Sequence, residues 1–271
     1  MISERGGWGR IDKTADPAGY IDYLRSISAI EAVQRWKEKT FQLMGVEPGQ
    51  RVLDVGCGRG DEVMALARLV GERGRSVGID ASGAMVAQAA QRAKDAGLHV
   101  EVRVADAHAL PFADGTFDAS RIERTLQHLA DPACAIAELH RVTRPGGRVV
   151  AADPDWATLA VDAPDAEATA LVVEAHVAHV ANGTIGRQLL RRFSDAGFEA
   201  IACDVTGFWL TDLAVADPIL GLTEAAHEAV SDGLISAERS AAWLDSLASA
   251  NARQRFFVSL TAFIVSGRVP H

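Results

Sequence analysis

The chain has 271 residues, of which 48% are hydrophobic and 23% charged, proportions of an ordinary globular protein that exclude a disordered or fibrous one. A formal charge of -9 opposes the phosphate-backbone attraction on which sequence-independent nucleic-acid binding rests, so nucleic acid is not expected as a partner. No window holds the eighteen or more apolar residues of a membrane span, and the opening MISERGGWGR lacks the apolar stretch of a signal peptide. The expectation is a cytoplasmic monomer or homodimer with no membrane partner.

From Pro17 to Met44 the apolar residues Tyr20, Leu24, Ile27, Ile30, Val33 and Phe41 recur at helical spacing, and Gly45 with Pro48-Gly49 ends the pattern. Arg51 to Val55 is a short apolar strand that runs into a glycine cluster and then a helix from Asp61 to Leu69. Alternation continues through a strand Ser76–Asp80, a helix Gly83–Ala96, strands His99–Ala105 and Phe117–Ile122, a helix Pro132–Val142 and a strand Gly147–Ala152. Ser82 is placed to cap the first of these helices, and Asp131-Pro132 starts the second. Strands alternating with helices predict a parallel sheet covered on both faces.

Beyond Asp153 the pattern loosens. Helices are expected over Ala166–Val180 and Arg187–Ala196, a strand over Phe198–Thr206, helices over Val215–Val230 and Ala237–Ala250, and a last strand over Phe256–Val265. The predicted organisation is an N-terminal helical cover over 1–45, a core over 46–211 and 251–271, and a helical lid inserted over 212–250.

VLDVGCGRG, residues 52–60, is the most specific signal: Gly56, Gly58 and Gly60 stand at every second position directly after a buried strand. Glycines there let the backbone turn sharply and approach a ligand, while the next helix aims its first amides at the site. The spacing differs from the GxGxxG dinucleotide fingerprint, which counts against an NAD-linked enzyme. Asp80 closes the next strand, where a carboxylate accepts ribose hydroxyls at the switch point of an open sheet, or simply caps a turn. Asp106, after the third strand, is a third candidate carboxylate or an ordinary loop aspartate. Cys57, Cys134 and Cys203 stand far apart with no CxxC pair, which reads as reduced thiols and no structural zinc.

Together VLDVGCGRG, GID, VADAHALPFADGTFD, LQHLADP and RVTRPGGRVV resemble the ubiquinone/menaquinone-biosynthesis type of class I small-molecule methyltransferase, over residues 46–153. The resemblance implies a Rossmann-like α/β fold with a seven-stranded, mostly parallel sheet, and S-adenosylmethionine as cofactor. It places Gly56, Cys57 and Gly58 on the methionine part with Asp54 supporting their loop, Asp80 on the ribose, Ala81 and Met85 beside the adenine, Asp106 with Ala107 at its edge, and Glu123 at the methionine end. The family more often carries asparagine or serine where Ile122 and Glu123 stand.

A sulfonium is already a good leaving group, so alignment and exclusion of water supply most of the acceleration of methyl transfer, leaving the acceptor's proton to be removed. His128 is the first candidate base, because in the resembled fold its loop faces the transferable methyl; a packing or capping role stands beside that reading. Asp153 is the second, read either as a base or its orienter or as a turn carboxylate before Pro154. Tyr20, Tyr23, Trp156 and His176 are candidate acceptor contacts or ordinary core residues. His176 and His179 are spaced to share a helix face, yet no third ligand accompanies them and no metal is expected. The expected reaction is O- or C-methylation of a secondary-metabolite or quinone-like small molecule, with a cofactor-templated cyclisation as the alternative.

Overall fold

The computed structural model describes residues 31–271; the calls on Tyr20 and Tyr23 lie outside them. The first described helix, α1 (Glu31–Met44), precedes β1 (Arg51–Val55), α2 (Asp61–Val70), β2 (Arg75–Asp80), α3 (Gly83–Asp95) and β3 (Val100–Val104). Then come β4 (Phe117–Glu123), a 3-10 turn Leu126–His128, α4 (Pro132–Val142), β5 (Thr143–Val161), α5 (Ala166–His179), α6 (Ile185–Asp195) and β6 (Glu199–Leu210). Helices α7 (Leu213–Leu220), α8 (Leu222–Ser231) and α9 (Ala237–Ala252) lead to β7 (Val258–Arg268).

The described residues form a seven-stranded sheet in the order β3-β2-β1-β4-β5-β7-β6. Strands β1 to β5 pair in parallel and β7 runs antiparallel to both β5 and β6, which gives the mostly parallel α/β sheet the alternating pattern predicts. Val52, Ala119, Val150, Ala152 and Ile264 turn one face toward Trp36 and Met44 of α1 and Leu66 and Val70 of α2. Leu53, Val55, Ile122, Val149 and Val265 turn the other toward Ile136 and Leu139 of α4 and Leu189 and Phe193 of α6. Successive strand residues face opposite sides, so each strand feeds two cores at once. Of the helical cover predicted over 1–45, the described part, α1, packs on the sheet itself.

Local chemistry sets several helix starts. Ser82 Oγ accepts from Met85 N at 3.2 Å, and Asp131 Oδ1 accepts from Ala133 N at 3.0 Å and Cys134 N at 3.1 Å, with Pro132 in the first turn. Between α7 and α8, Gly221 adopts φ 62°, a left-handed backbone that ends one helix and splits the single helix expected over Val215–Val230.

The largest departure is β5. The expected strand Gly147–Ala152 is embedded in one reaching Val161, because β7 continues the pairing after β4 stops at Glu123 opposite Ala152. The turn reading of Asp153 is therefore wrong: it lies within the strand opposite Phe263 and is 0% exposed. Together with the end of β6, this ribbon projects past the carboxyl ends of the parallel strands and carries a third core. There Trp156, Leu159, Phe208, Leu260 and Val258 meet Val172 and Ala175 of α5, Leu220, Ala226 and Ala229 of α7 and α8, and Trp243 and Leu247 of α9.

Trp243 anchors this cap, with its indole N–H donating to Thr169 Oγ1 at 2.9 Å. Trp243→Ala should cost about 3–5 kcal/mol through the cavity it leaves. Denaturant unfolding checks this, and a loss under 1 kcal/mol would mean that the cap does not fold cooperatively with the sheet.

Candidate functional site

The glycine loop leaves β1 at the carboxyl edge of the sheet. Gly56 has φ 73°, and a Cβ there would stand 2.1 Å from Thr125 Oγ1, so both backbone sign and space demand glycine. The loop is held from β2: Gly56 N and Cys57 N donate to Ile79 O at 2.8 and 2.9 Å, and Gly58 N donates to Asp80 Oδ2 at 2.9 Å. Asp80 Oδ1 accepts from Ser82 N at 2.9 Å, so this carboxylate ties the glycine loop to the start of α3.

Beneath the loop lies a buried row of charge on the α1/α2 side. Register sets Arg121 of β4 directly beside Asp54 of β1, and Arg121 Nη1 reaches Asp54 Oδ1 at 3.1 Å while Nη2 contacts Glu123 Oε2. The Arg121 guanidinium lies 5.2 Å from the Phe41 ring centroid, in cation–π range. Lys37 of α1 pairs with Glu62 of α2 at 2.5 Å. Lys37, Asp54, Gly56, Gly58, Arg59, Glu62, Arg121, Glu123 and Arg124 line a common cleft. Arg124 holds φ 48°, a conformation L-residues seldom adopt, with its N–H donating to Ala152 O at 2.8 Å.

This cleft has the donors and acceptors that an amino acid moiety needs. Asp54 Oδ2 and Arg121 Nε are buried with no hydrogen-bond partner among the described residues, and carboxylates, guanidinium groups and glycine backbone together line the cleft. The residues present therefore fit a ligand carrying both an ammonium and a carboxylate. Among the described residues no group of histidine, cysteine and carboxylate side chains could hold a metal ion.

Other expected residues fall into distinct settings. Cys57 packs its thiol against Gly78 of β2, and Met85 and Ala107 are buried in the core, whereas Ala81 is exposed beside Asp80. Asp106 Oδ1 accepts from His108 N at 2.9 Å and faces His108 Nδ1 at 2.6 Å, and these bonds hold its carboxyl below the usual range. His128 closes the turn after β4, where burial and then the Arg124 charge push its pKa down to about 3. Trp156 donates from Nε1 to Gln127 Oε1 at 2.7 Å, and its ring lies 4.4 Å from that of His176, both inside the cap core. His179 instead faces outward and reaches Asp232 Oδ2 at 3.0 Å, so the two histidines do not share an environment.

Arg121, Lys37, Glu62 and Asn182 escape the sequence reading. Asn182 Nδ2 donates to Leu126 O at 3.1 Å and Leu129 O at 2.7 Å, and its backbone N–H to Gln127 O at 2.9 Å, clamping the turn that carries His128. An arginine in the middle of a strand that the parallel sheet buries, FDASRIE, was the available signal for the first: such a side chain needs a buried partner.

Burial raises the Asp54 pKa from 3.8 to about 7, against the opposing pull of Arg121. Between those two values the folded chain holds a proton that the unfolded chain has released, so Asp54 makes stability fall as pH rises from about 4 to about 7. Wild type should thus lose stability relative to Asp54→Asn across that window in denaturant unfolding at stepped pH. A pH-independent difference would show that Asp54 is ionised throughout.

Residues 46–197 match the family described as a methyltransferase domain. The chain is 40% identical over 262 residues to an uncharacterized 37.1 kDa protein in transposon TN4556 of Streptomyces fradiae, covering 95% of this chain and 73% of that one. It is 36% identical over 130 residues to demethylmenaquinone methyltransferase of Bacillus subtilis, covering 48% of this chain and 56% of that enzyme, so it spans little more than half of that relative. The YcgJ protein of Bacillus subtilis shares the fold, with a TM-score of 0.61 at 20% identity over 88% of this chain and 99% of that one. The glycine loop, the carboxylate closing β2 and the sheet order agree with these likenesses, and the chain belongs to the class I S-adenosylmethionine-dependent methyltransferases, resembling the menaquinone-biosynthesis type.

Proposed function

We propose that the protein methylates an oxygen or carbon atom of a small, largely apolar acceptor of secondary-metabolite or quinone-like kind. The observation that carries this reading is the cap. An apolar core built around Trp156 stands on the β5–β7–β6 ribbon at the carboxyl end of the parallel strands, next to the turn Leu126–His128, and Asn182 and Gln127 bind that turn to it. Ligands of open α/β sheets bind outside the carboxyl ends of the strands, and an apolar wall there favours an apolar guest.

In this reading the Gly56–Gly58 backbone and Glu123 hold the methionine end of the cofactor, with Asp54 fixing the loop through Arg121. Asp80 accepts from the ribose hydroxyls, Ala81 flanks the adenine above a floor to which Met85 contributes, and Asp106 with Ala107 meets its edge. When bound, S-adenosylmethionine supplies a methyl on a positively charged sulfur, ready for in-line displacement. What the chain adds is alignment and dryness: the cap excludes water, and the clamped turn sets the acceptor's approach. Helices α7 to α9, which cover the lid expected over 212–250, open and close the acceptor's route.

His128, with its pKa near 3, is neutral at physiological pH, so its ring accepts a hydrogen bond from the acceptor hydroxyl and passes the proton lost on methylation to solvent. Asp153, buried in β5 one residue beyond the pairing limit of β4, is the alternative acceptor of that proton.

Incubation with methyl-labelled S-adenosylmethionine and a panel of quinols, phenols, enols and phosphorylated amines tests the acceptor class. Label is expected on the first three; label confined to the amines would overturn the reading. With the acceptor in hand, His128→Ala should lower turnover about 10²-fold with adenosylhomocysteine affinity unchanged. The wild-type turnover should show no inflection from this histidine between pH 5.5 and 8, since its folded pKa lies well below that range. An inflection near 6.5 that disappears in the variant would mean that His128 cycles through its charged form.

A further inference from the structure

We propose that His108 is a positioning residue that aims Asp106 at the exocyclic amino group of the cofactor's adenine, and so sets preference for a 6-aminopurine. The inference rests on the reading of Asp106 as an adenine contact.

The location follows from the sheet. Val104 ends β3 beside Asp80 of β2, and Ala105 N donates to Asp80 O at 3.0 Å, so Asp106 emerges next to the ribose carboxylate. Its side chain is 67% exposed, and a carboxylate so open would ordinarily sample several rotamers. Two hydrogen bonds from one residue remove that freedom: Oδ1 accepts the His108 backbone N–H at 2.9 Å and faces the His108 ring Nδ1 at 2.6 Å. The other oxygen, Oδ2, remains for a ligand.

The ring is held from its far side too. His108 Nε2 accepts from Asp131 N at 3.2 Å, and Cys134 Sγ donates to the His108 carbonyl at 3.3 Å. Since Nε2 is the acceptor, a neutral ring carries its proton on Nδ1 and donates it to Asp106. Asp131 caps α4, which packs on β4 and β5, so the chain of contacts runs from the sheet through α4 and His108 to the Asp106 carboxylate. An ionised acceptor fixed in this way offers its free oxygen to an N–H donor, and rejects a purine lacking that donor by leaving the carboxylate partly unsatisfied.

Titration calorimetry with adenosylhomocysteine and with its analogue bearing hydrogen in place of the 6-amino group tests the assignment. In wild type the amino compound should bind more tightly. His108→Phe, which keeps a ring but loses both ring hydrogen bonds, should weaken adenosylhomocysteine about tenfold and the analogue by less than twofold. His108→Asn, whose amide replaces the Nδ1 donor, should recover most of the difference. Equal weakening of both ligands in the His108→Phe variant, or no weakening of either, would overturn the proposal. Asp106→Ala separates the two levels. If it erases the preference for the amino compound while His108→Phe does not, only the positioning role fails; if Asp106→Ala leaves that preference intact, the adenine reading and the proposal fall together.

Discussion

A single buried guanidinium underlies the site. Arg121, 1% exposed, sits between Asp54 of β1 and Glu123 of its own strand, under the glycine loop and against the Phe41 ring. Removing one partner of a buried ion pair typically costs about 3–5 kcal/mol, because the remaining charge has no water to turn to. Without Arg121, two carboxylates would face each other at the point where β1 and β4 deliver their loops. The nearby Lys37–Glu62 pair brings α1 and α2 into the same network; burial pushes the Glu62 carboxyl up, but the Lys37 and Arg121 charges outweigh it and hold the group ionised, its pKa down at about 2. The charge row thus fixes, at one place, the spacing of two strands and two helices around the cleft.

The other half of the molecule depends on the long β5–β7 ribbon. Asp155, 0% exposed, accepts from the backbone N–H and the guanidinium of Arg187 at the start of α6, and Arg187 Nη2 reaches Asp155 Oδ1 at 2.8 Å. Trp156 N donates to Gly183 O at 2.8 Å, and Gln127, Trp156 and Asn182 then join the turn after β4 to the cap. These contacts make the position of His128 a consequence of cap packing as well as of the sheet. A shift of α5 would therefore be felt at the turn without any change in the glycine loop.

The two halves differ in how their chemistry is distributed. On the cleft side, backbone amides and ionised side chains dominate, as a charged and polar cofactor requires. On the cap side the packed interior is mostly alanine, valine, leucine, isoleucine, phenylalanine and tryptophan, and the Arg239 contacts to Asp165 and Glu167 lie at its periphery. Among the described residues no helix is long and apolar enough to cross a membrane.

From its sequence alone this protein reveals what depends on neighbours along the chain. The glycine triplet, Asp80 at a strand end, the caps at Ser82 and Asp131, and the alternation of short apolar strands with helices are local patterns, and the sheet and cofactor class follow from them. Tertiary structure decided what depends on residues far apart: Arg121 meets Asp54 across 67 positions and Asn182 meets Leu126 across 56. The length of β5 belongs to the same class, since Asp153 before Pro154 reads locally as a turn until β7 pairs with the segment. So do the opposite fates of His176 and His179, which periodicity places on one helix face and packing divides between core and solvent. Hydrophobic period fixes which side of an element faces inward, but only the register between strands and the packing of helices determines which charged or polar partner waits there.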